Sequence, residues 1–414
     1  MNTESITYVR PKLGLGSAAI DHREEEAAVS TLRSRNLFRY YGDDPANPPT
    51  KVQELEKATA AWIGTDYTLA TSSGTAALET ALAAISVGPG DEVIVPAWSW
   101  LSCVTTIVRM GARPVLAEID ASLNLDPNEI SRLATPNTRA VLVVHYQGVA
   151  ADMDPIIKTA HRLGLFVIED CAEAPGTLYK GRSVGAWGDV AIYSFQHNKP
   201  MTAGEGGLLA TRDIRTYERA VRMHDLGQYR PYHGKITPPQ EPAFSGANYR
   251  MSELTAAVAL IQLRKVDEIK EHCRSIQSRI RERVPVLEGI TWREIADPTG
   301  DFGFEMYFYL SDAARVEPFR AALDAREVNC LPRTGTYPQY HREHILTGRA
   351  HHPAASPFRD LKPWPASGYH ATDFPVTEDL TCRFIALPIG WKYTLDDADH
   401  IAESLIAVHR ELMG

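Results

Sequence analysis

A chain of 414 residues with 44% hydrophobic, 23% charged and 8% aromatic residues has the make-up of a globular protein, which excludes disorder, collagen and coiled coil. Its 52 acidic and 43 basic side chains give a formal charge of −9; with no block of basic residues, nucleic acid is not an expected partner. The length exceeds what one core usually carries, so we expect a large domain over residues 1–272 and a smaller one over 273–414.

The opening Met1-Asn2-Thr3-Glu4-Ser5 lacks the basic and apolar regions of an export signal, and no apolar stretch approaches the ~20 residues of a bilayer span. No membrane association and a cytoplasmic location are the expectations. Gly14-Leu15-Gly16-Ser17-Ala18-Ala19 approximates a dinucleotide fingerprint, but no strand precedes it. From Thr68 to Gly207 short apolar runs alternate with helical stretches. Glu92–Val95, Ala140–Val144, Leu165–Ile168 and Asp189–Tyr193 are almost continuously apolar, as strands buried on both faces are. An Ala-rich helix is expected from Thr75 to about Ser86, ended by Gly88-Pro89-Gly90-Asp91. The class is α/β, with a mostly parallel sheet built from βαβ units.

Residues 223–247 form a long loop containing Gly227, Gly234 and several aromatics, of a size that is usually functional. A long helix follows, with Met251, Leu254, Val258 and Ile261 at helical spacing and a charged second half suited to bridging into another domain. Beyond Cys273 the pattern is a smaller α+β unit, with strands at Ile290–Ile295 and Met306–Leu310 and a helix near Val316–Arg326. Residues 332–375 are rich in proline and histidine and suit loops at an entrance.

Open α/β sheets place ligands at strand ends, and four clusters lie there. Thr71-Ser72-Ser73-Gly74-Thr75-Ala76 runs into the Ala-rich helix; a helix N-terminus beside hydroxyls is a phosphate cradle, although an ordinary N-cap reads the same way. Glu169-Asp170-Cys171-Ala172-Glu173 places acids where a buried strand stops, suited to holding a cation or capping a helix. Ser194-Phe195-Gln196-His197-Asn198-Lys199 ends another strand with a lysine, an amine nucleophile toward carbonyls when its pKa is lowered. The fourth, Gly246-Ala247-Asn248-Tyr249-Arg250, says little alone. Together, a phosphate cradle, an aspartate and a lysine are the parts that a pyridoxal phosphate enzyme needs. Trp98 and Trp100 are candidates for the ring face. The five cysteines, Cys103, Cys171, Cys273, Cys330 and Cys382, form no CxxC pair, and the histidines have no zincin spacing, so no metal is expected. Surface or substrate-pocket positions are expected for His145 and the His351-His352 pair.

The stretches TSSGTAAL (71–78), GPGDEVIVPAWSW (88–100), GARPVLAEID (111–120), VIEDCAEAPG (167–176), SFQHNKPMTAGEGG (194–207) and GANYRMSELTAAVALIQLRKVD (246–267) resemble the DegT/DnrJ/EryC1/StrS sugar aminotransferases. The resemblance implies fold type I and pyridoxal 5'-phosphate as cofactor. It makes Lys199 the Schiff-base lysine, Asp170 the partner of the pyridine nitrogen and Trp100 the stacking aromatic. Gly74, Thr75, Ala76 and Ser194 become the phosphate site. Asn248 would reach the phosphate of a neighbouring subunit, implying a homodimer with shared active sites, and Arg250, His197 and Tyr337 become candidate substrate contacts. Glu173 sits where many members carry Gln or His beside the cofactor's phenolic oxygen, and a carboxylate there repels a phenolate unless one holds a proton.

The implied activity is transfer of an amino group from glutamate or glutamine to a keto- or aldehydo-sugar, in amino-sugar biosynthesis of the kind used in secondary metabolism. A nucleotide-linked deoxy-keto-sugar, an eight-carbon sugar and a cyclitol ketone of the inosose type are the acceptors considered. Asn36–Tyr41 and Ile295–Asp301 are similar to members acting on octulosonates. The alternatives are a dehydratase or aromatase of the same family and a catalytically silent binding protein. The retained Lys199 and unclustered cysteines favour transamination over dehydration, product absorbance would separate the aromatase, and the pairing of Lys199 with Asp170 disfavours the silent binding protein.

Overall fold

The computed structural model describes residues 14–40, 50–230, 241–331, 338–352, 356–358 and 368–414. Its strands in chain order are β1 (Tyr67–Thr71), β2 (Glu92–Pro96), β3 (Arg113–Ala117), β4 (Thr138–Val144), β5 (Phe166–Asp170), a small hairpin of β6 (Leu178–Tyr179) and β7 (Arg182–Ser183), β8 (Val190–Ser194), β9 (Gly207–Thr211), β10 (Ile290–Trp292), β11 (Glu305–Leu310) and β12 (Phe384–Pro388). The helices are α1 (His22–Ser34), α2 (Lys51–Ile63), α3 (Gly74–Ala84), α4 (Leu101–Arg109), α5 (Asn128–Leu133), α6 (Met153–Arg162), α7 (Ile214–His224), α8 (Glu253–Arg283), α9 (Val316–Asp324), α10 (Glu343–Leu346), α11 (Pro375–Arg383) and α12 (Leu395–Leu412).

Seven strands form the main sheet in the order β1-β9-β8-β5-β4-β2-β3. Only β9 runs against its neighbours, β1 and β8; the other pairs are parallel. Side chains alternate along each strand, so Val93, Leu142, Ile168 and Ile192 enter one core with α3, α4 and α7. Their neighbours Ile94, Val141, Val167 and Ala191 enter another with α2, α6 and the start of α8. This two-sided burial explains the continuous apolar runs.

Two strands end later than the apolar runs do. β5 continues through Glu169 to Asp170 and β8 to Ser194, so these polar residues are held by the ladder rather than lying in loops. Asp189 stays outside β8, and its carboxylate accepts the Val167 N–H at 2.7 Å. β10 stops at Trp292, short of Ile295: the next residue, Arg293, is buried and donates to the carbonyls of Ser122 (2.6 Å) and Tyr146 (2.8 Å).

The antiparallel sheet β10-β11-β12 builds a third core with α9, α12 and the later part of α8. The 31-residue α8 runs unbroken past residues 272 and 273; Leu263 belongs to the second core and Val266 to the third. The segment before α1 joins the C-terminal unit, because Leu15 and Ala19 pack in that third core. Buried Lys265 of α8 fixes it by donating to Ala19 O (2.8 Å) and Glu24 Oε2 (2.7 Å).

Candidate active site

β1, β5 and β8 all point their C-terminal ends at one cavity of about 490 Å³, where the position of α3 follows from its sequence. Ser73 caps the helix, its Oγ accepting the Ala76 N–H at 3.0 Å. Gly74 passes so close to β8 that an added Cβ would lie 2.8 Å from Ser194 Cβ. Ser73, Gly74, Thr75 and Ser194 therefore line one end of the cavity together, under the first turn of a helix whose leading N–H groups lack partners within the helix. Ala76 does not line it: its N–H is taken by the Ser73 cap.

Asp170, the last residue of β5, lines the same cavity. Its Oδ1 accepts the Ala172 N–H at 3.0 Å and its Oδ2 the Cys103 thiol at 3.3 Å. Burial raises its pKa above the usual aspartate value, against the pull of those two donors. Burial also pushes the Cys103 thiol well up, so it stays a donor. A cation in the cavity would relieve the desolvation of Asp170.

Lys199 follows β8 in a turn closed by its N–H on Gln196 O at 2.9 Å. Its Nζ pairs with Glu173 Oε1 at 3.2 Å, and Gln147 N–H donates to the other Glu173 oxygen at 3.3 Å. Glu173 thus reaches the amine of Lys199. Trp100 lies on the cavity at the N-cap of α4 and is 57% exposed, its face open. Trp98 is a core residue, packed edge-on against Tyr146 and Phe384.

Other expected contacts lie elsewhere. His197 is exposed and does not line the cavity. Arg250 does not line it either; the guanidinium pairs with buried Asp225, which Arg230 also holds at 2.6 Å. Asn248 is exposed, outside the cavity of its own chain, and its Oδ1 accepts the Arg250 N–H at 3.4 Å. Tyr337 lies outside the described residues.

His145 is neither on the surface nor in the pocket. It is fully buried, with Nδ1 accepting the Ala151 N–H at 3.1 Å and Nε2 on Glu169 at 3.0 Å. An Nδ1 that accepts leaves the proton on Nε2, which donates to Glu169. Glu169 also takes the N–H groups of Gly185 (2.7 Å), Trp187 (2.8 Å) and Gly188 (2.5 Å). With Cys171 these side chains come within 4.8 Å of one another, but both imidazole nitrogens are used in a clamp beneath the sheet end.

The sequence reading missed three parts of the wall. Gly14, Leu15 and Ser17 line it; Gly16 between them leaves no room for a Cβ, which would sit 2.7 Å from Pro200 O and 3.0 Å from Lys199 O. The glycine spacing there marked a close approach to the lysine loop. Gln147, at φ +48, and Glu305, heading β11, also line the cavity. A lone acid before an apolar strand was the available signal for Glu305.

Among the described residues no helix is long and apolar enough to cross a membrane. A model of the DegT/DnrJ/EryC1/StrS aminotransferase family matches residues 46–406. The chain is 34% identical over 335 residues to the GDP-perosamine synthase of Caulobacter vibrioides, covering 80% of this chain and 86% of that one. It is 32% identical over 365 residues to the spore coat polysaccharide biosynthesis protein SpsC of Bacillus subtilis, covering 86% and 88%. The crystal structure of 3-amino-5-hydroxybenzoic acid synthase matches in fold, fold type I, with a TM-score of 0.79 at 24% identity over 97% of this chain and 100% of that chain. The chain belongs to the DegT/DnrJ/EryC1/StrS aminotransferase family.

Proposed function

We propose that this aminotransferase works with pyridoxal 5'-phosphate and moves an amino group from glutamate or glutamine to a keto- or aldehydo-sugar in amino-sugar biosynthesis. The observation that carries the reading is the meeting of Lys199, Asp170 and the α3 N-terminus in one cavity. These residues fit the cofactor: the Gly74 cradle is one that a Cβ would fill, a desolvated carboxylate stands ready for a ring N–H, and a lysine amine faces the same space. When bound, the cofactor supplies an electron sink that lets a proton leave the carbon bearing the amine.

The chain's own groups do the rest. Ser73, Gly74, Thr75 and Ser194 bind the phosphate, with the α3 terminus favouring its charge. Asp170 Oδ2 holds the proton of the ring nitrogen in place, oriented by Cys103 and Ala172. Lys199 Nζ takes the proton from the reacting carbon and returns it one position along, and its neighbour Glu173 orients the amine. Trp100 would cover the ring face, and Leu15, Phe304 and Ile389 line the same cavity with apolar side chains that exclude water.

The relative named for a GDP-linked sugar supports a nucleotide-linked keto-sugar as acceptor. A homodimer with shared sites is the assembly we infer: Asn248 is exposed and does not line its own cavity, and Leu37, Phe38 and Leu226 are exposed apolar side chains. Cys103, Cys171, Cys273 and Cys382 are free thiols, which supports a reducing, cytoplasmic setting. Lys199→Ala removes the proton carrier and is expected to lower turnover at least ~10³-fold, measured as glutamate- or glutamine-dependent amination. Turnover near wild type would overturn the assignment.

A further inference from the structure

Glu305 is an acid in the cavity wall that the mechanism above leaves unused. It opens β11 between Phe304 and Met306 and pairs across the sheet with Pro388 of β12. The Tyr307 hydroxyl donates to its Oε2 at 2.6 Å. Among the described residues the other oxygen has no hydrogen-bond partner, and no cation forms an ion pair with Glu305. The nearby guanidinium of Arg293 donates through Nε and Nη2 to the carbonyls of Ser122 and Tyr146, its buried Nη1 having no hydrogen-bond partner, and Lys199 pairs with Glu173.

We propose that Glu305 is a second proton carrier of this site, a carboxylic acid oriented by Tyr307 that protonates the acceptor's carbonyl oxygen as it departs. This rests on the aminotransferase reading. When an amine condenses with a ketone, a C–N bond forms and the C–O bond breaks; the nitrogen gives up two protons and the oxygen leaves with both as water. Glu305 relays them in turn, giving one to the oxygen and taking one from the nitrogen, and ends as it began. Lys199 serves the carbon, so a separate group for the oxygen completes the set.

The surroundings keep a proton on this carboxyl at neutral pH. Burial is the largest cause, the Tyr307 hydroxyl opposes it and the Glu173 carboxylate adds to it, so the pKa of Glu305 is pushed up to about 8. The charged and titratable groups around it come from every neighbouring element: Tyr146 after β4, Glu173 after β5, Lys199 after β8, Arg293 after β10 and Tyr307 on its own strand. Lys199 and Arg293 pull its pKa down, and burial outweighs them. Tyr146 and Tyr307 have their own pKa values raised by burial and by Glu305 itself, so both stay neutral. Two neighbouring carboxyl groups with different proton affinities divide the work in this way in other acid–base sites.

The test begins with infrared spectroscopy of the full chain carrying isotope-labelled glutamate, a readout independent of turnover. The wild type is expected to show a protonated carboxyl band at neutral pH that fades with a midpoint near 8, and Glu305→Gln is expected to lack it. Next comes label exchange between glutamate or glutamine and its own keto acid, which needs no sugar. The wild-type exchange kcat is expected to fall at alkaline pH as Glu305 loses its proton; Glu305→Gln is expected to lower it about 100-fold with little change in KM and to remove that fall. Glu305→Asp should restore part of the rate, and thermal unfolding confirms that the variants fold. A band that persists in Glu305→Gln, or exchange that keeps its rate and alkaline limb, overturns the proposal. If wild-type enzyme catalyses no exchange with either donor, the aminotransferase reading fails instead, whatever the infrared band shows.

Discussion

Asp170 and Glu305 are both carboxyl groups made reluctant to ionise by burial, and their partners separate their tasks. Asp170 has two donors, the Ala172 N–H and the Cys103 thiol, which favour the charged form once a cation arrives. Glu305 has one donor and a carboxylate neighbour. The same difference has a consequence for stability. The carboxyl of Glu305 rises from an ordinary 4.5 to about 8, so between these values the native state holds a proton that the unfolded chain has lost. Stability therefore falls as pH rises through this window and levels off above it. In Glu305→Gln that fall is absent, so the variant's stability relative to wild type is expected to grow from about pH 5 to about pH 9. Urea unfolding at several pH values measures this; a constant difference would contradict it. Asp170, Lys199 and Ser194 were legible in sequence because each ends or follows a buried strand. Arg250 and Ala76 lie off the cavity of their own chain because a distant ion pair and a local cap hold them, and neither partner shows in a motif. Glu305 was illegible because its chemistry comes from elements far away in the chain.

At the scale of elements, the strands were legible as apolar runs and the length of α8 as a long periodic stretch. The reach of β5 and β8 into polar residues was not, since ladder pairing with neighbouring strands decides it. The N-terminal segment is the clearest case of tertiary control. It is placed by the Lys265 amine and the Gln262 amide of α8, which donate to Glu24 at 2.7 and 2.8 Å, and by the Trp391 N–H donating to Gly14 O at 3.0 Å. It then passes against the lysine loop at Gly16, where a side chain meets backbone oxygens on the far side. Gly16→Ala forces the segment or the loop to move. We expect a loss of about 1–3 kcal/mol in unfolding free energy, together with a fall in kcat, because Lys199 shifts with the loop. Wild-type stability and kcat in this variant would show that the close approach is unimportant.

For the whole molecule, one sheet brings the chemistry together, because strands far apart in sequence end side by side. The α/β class followed from the continuous runs. The separation of the third core was less visible, because α8 crosses residues 272 and 273 without a break and the N-terminal segment returns to the C-terminal unit. Shared sites in a homodimer make a distinct prediction. Lys199→Ala and Asn248→Ala, each impaired alone, are expected to regain activity when mixed and allowed to exchange subunits, since one of the two sites in the mixed dimer is then intact. Mixtures no more active than their components would place Asn248 outside the partner's site.

The central claim, that this cavity carries out transamination, is tested most directly by the absorption spectrum of the protein with pyridoxal 5'-phosphate, before and after glutamate or glutamine is added. A visible band from the lysine-bound cofactor is expected, and one of the two donors should convert it to the shorter-wavelength band of the aminated cofactor, with neither change in Lys199→Ala. A wild-type protein that binds no cofactor, or a band that neither donor alters, would contradict the account.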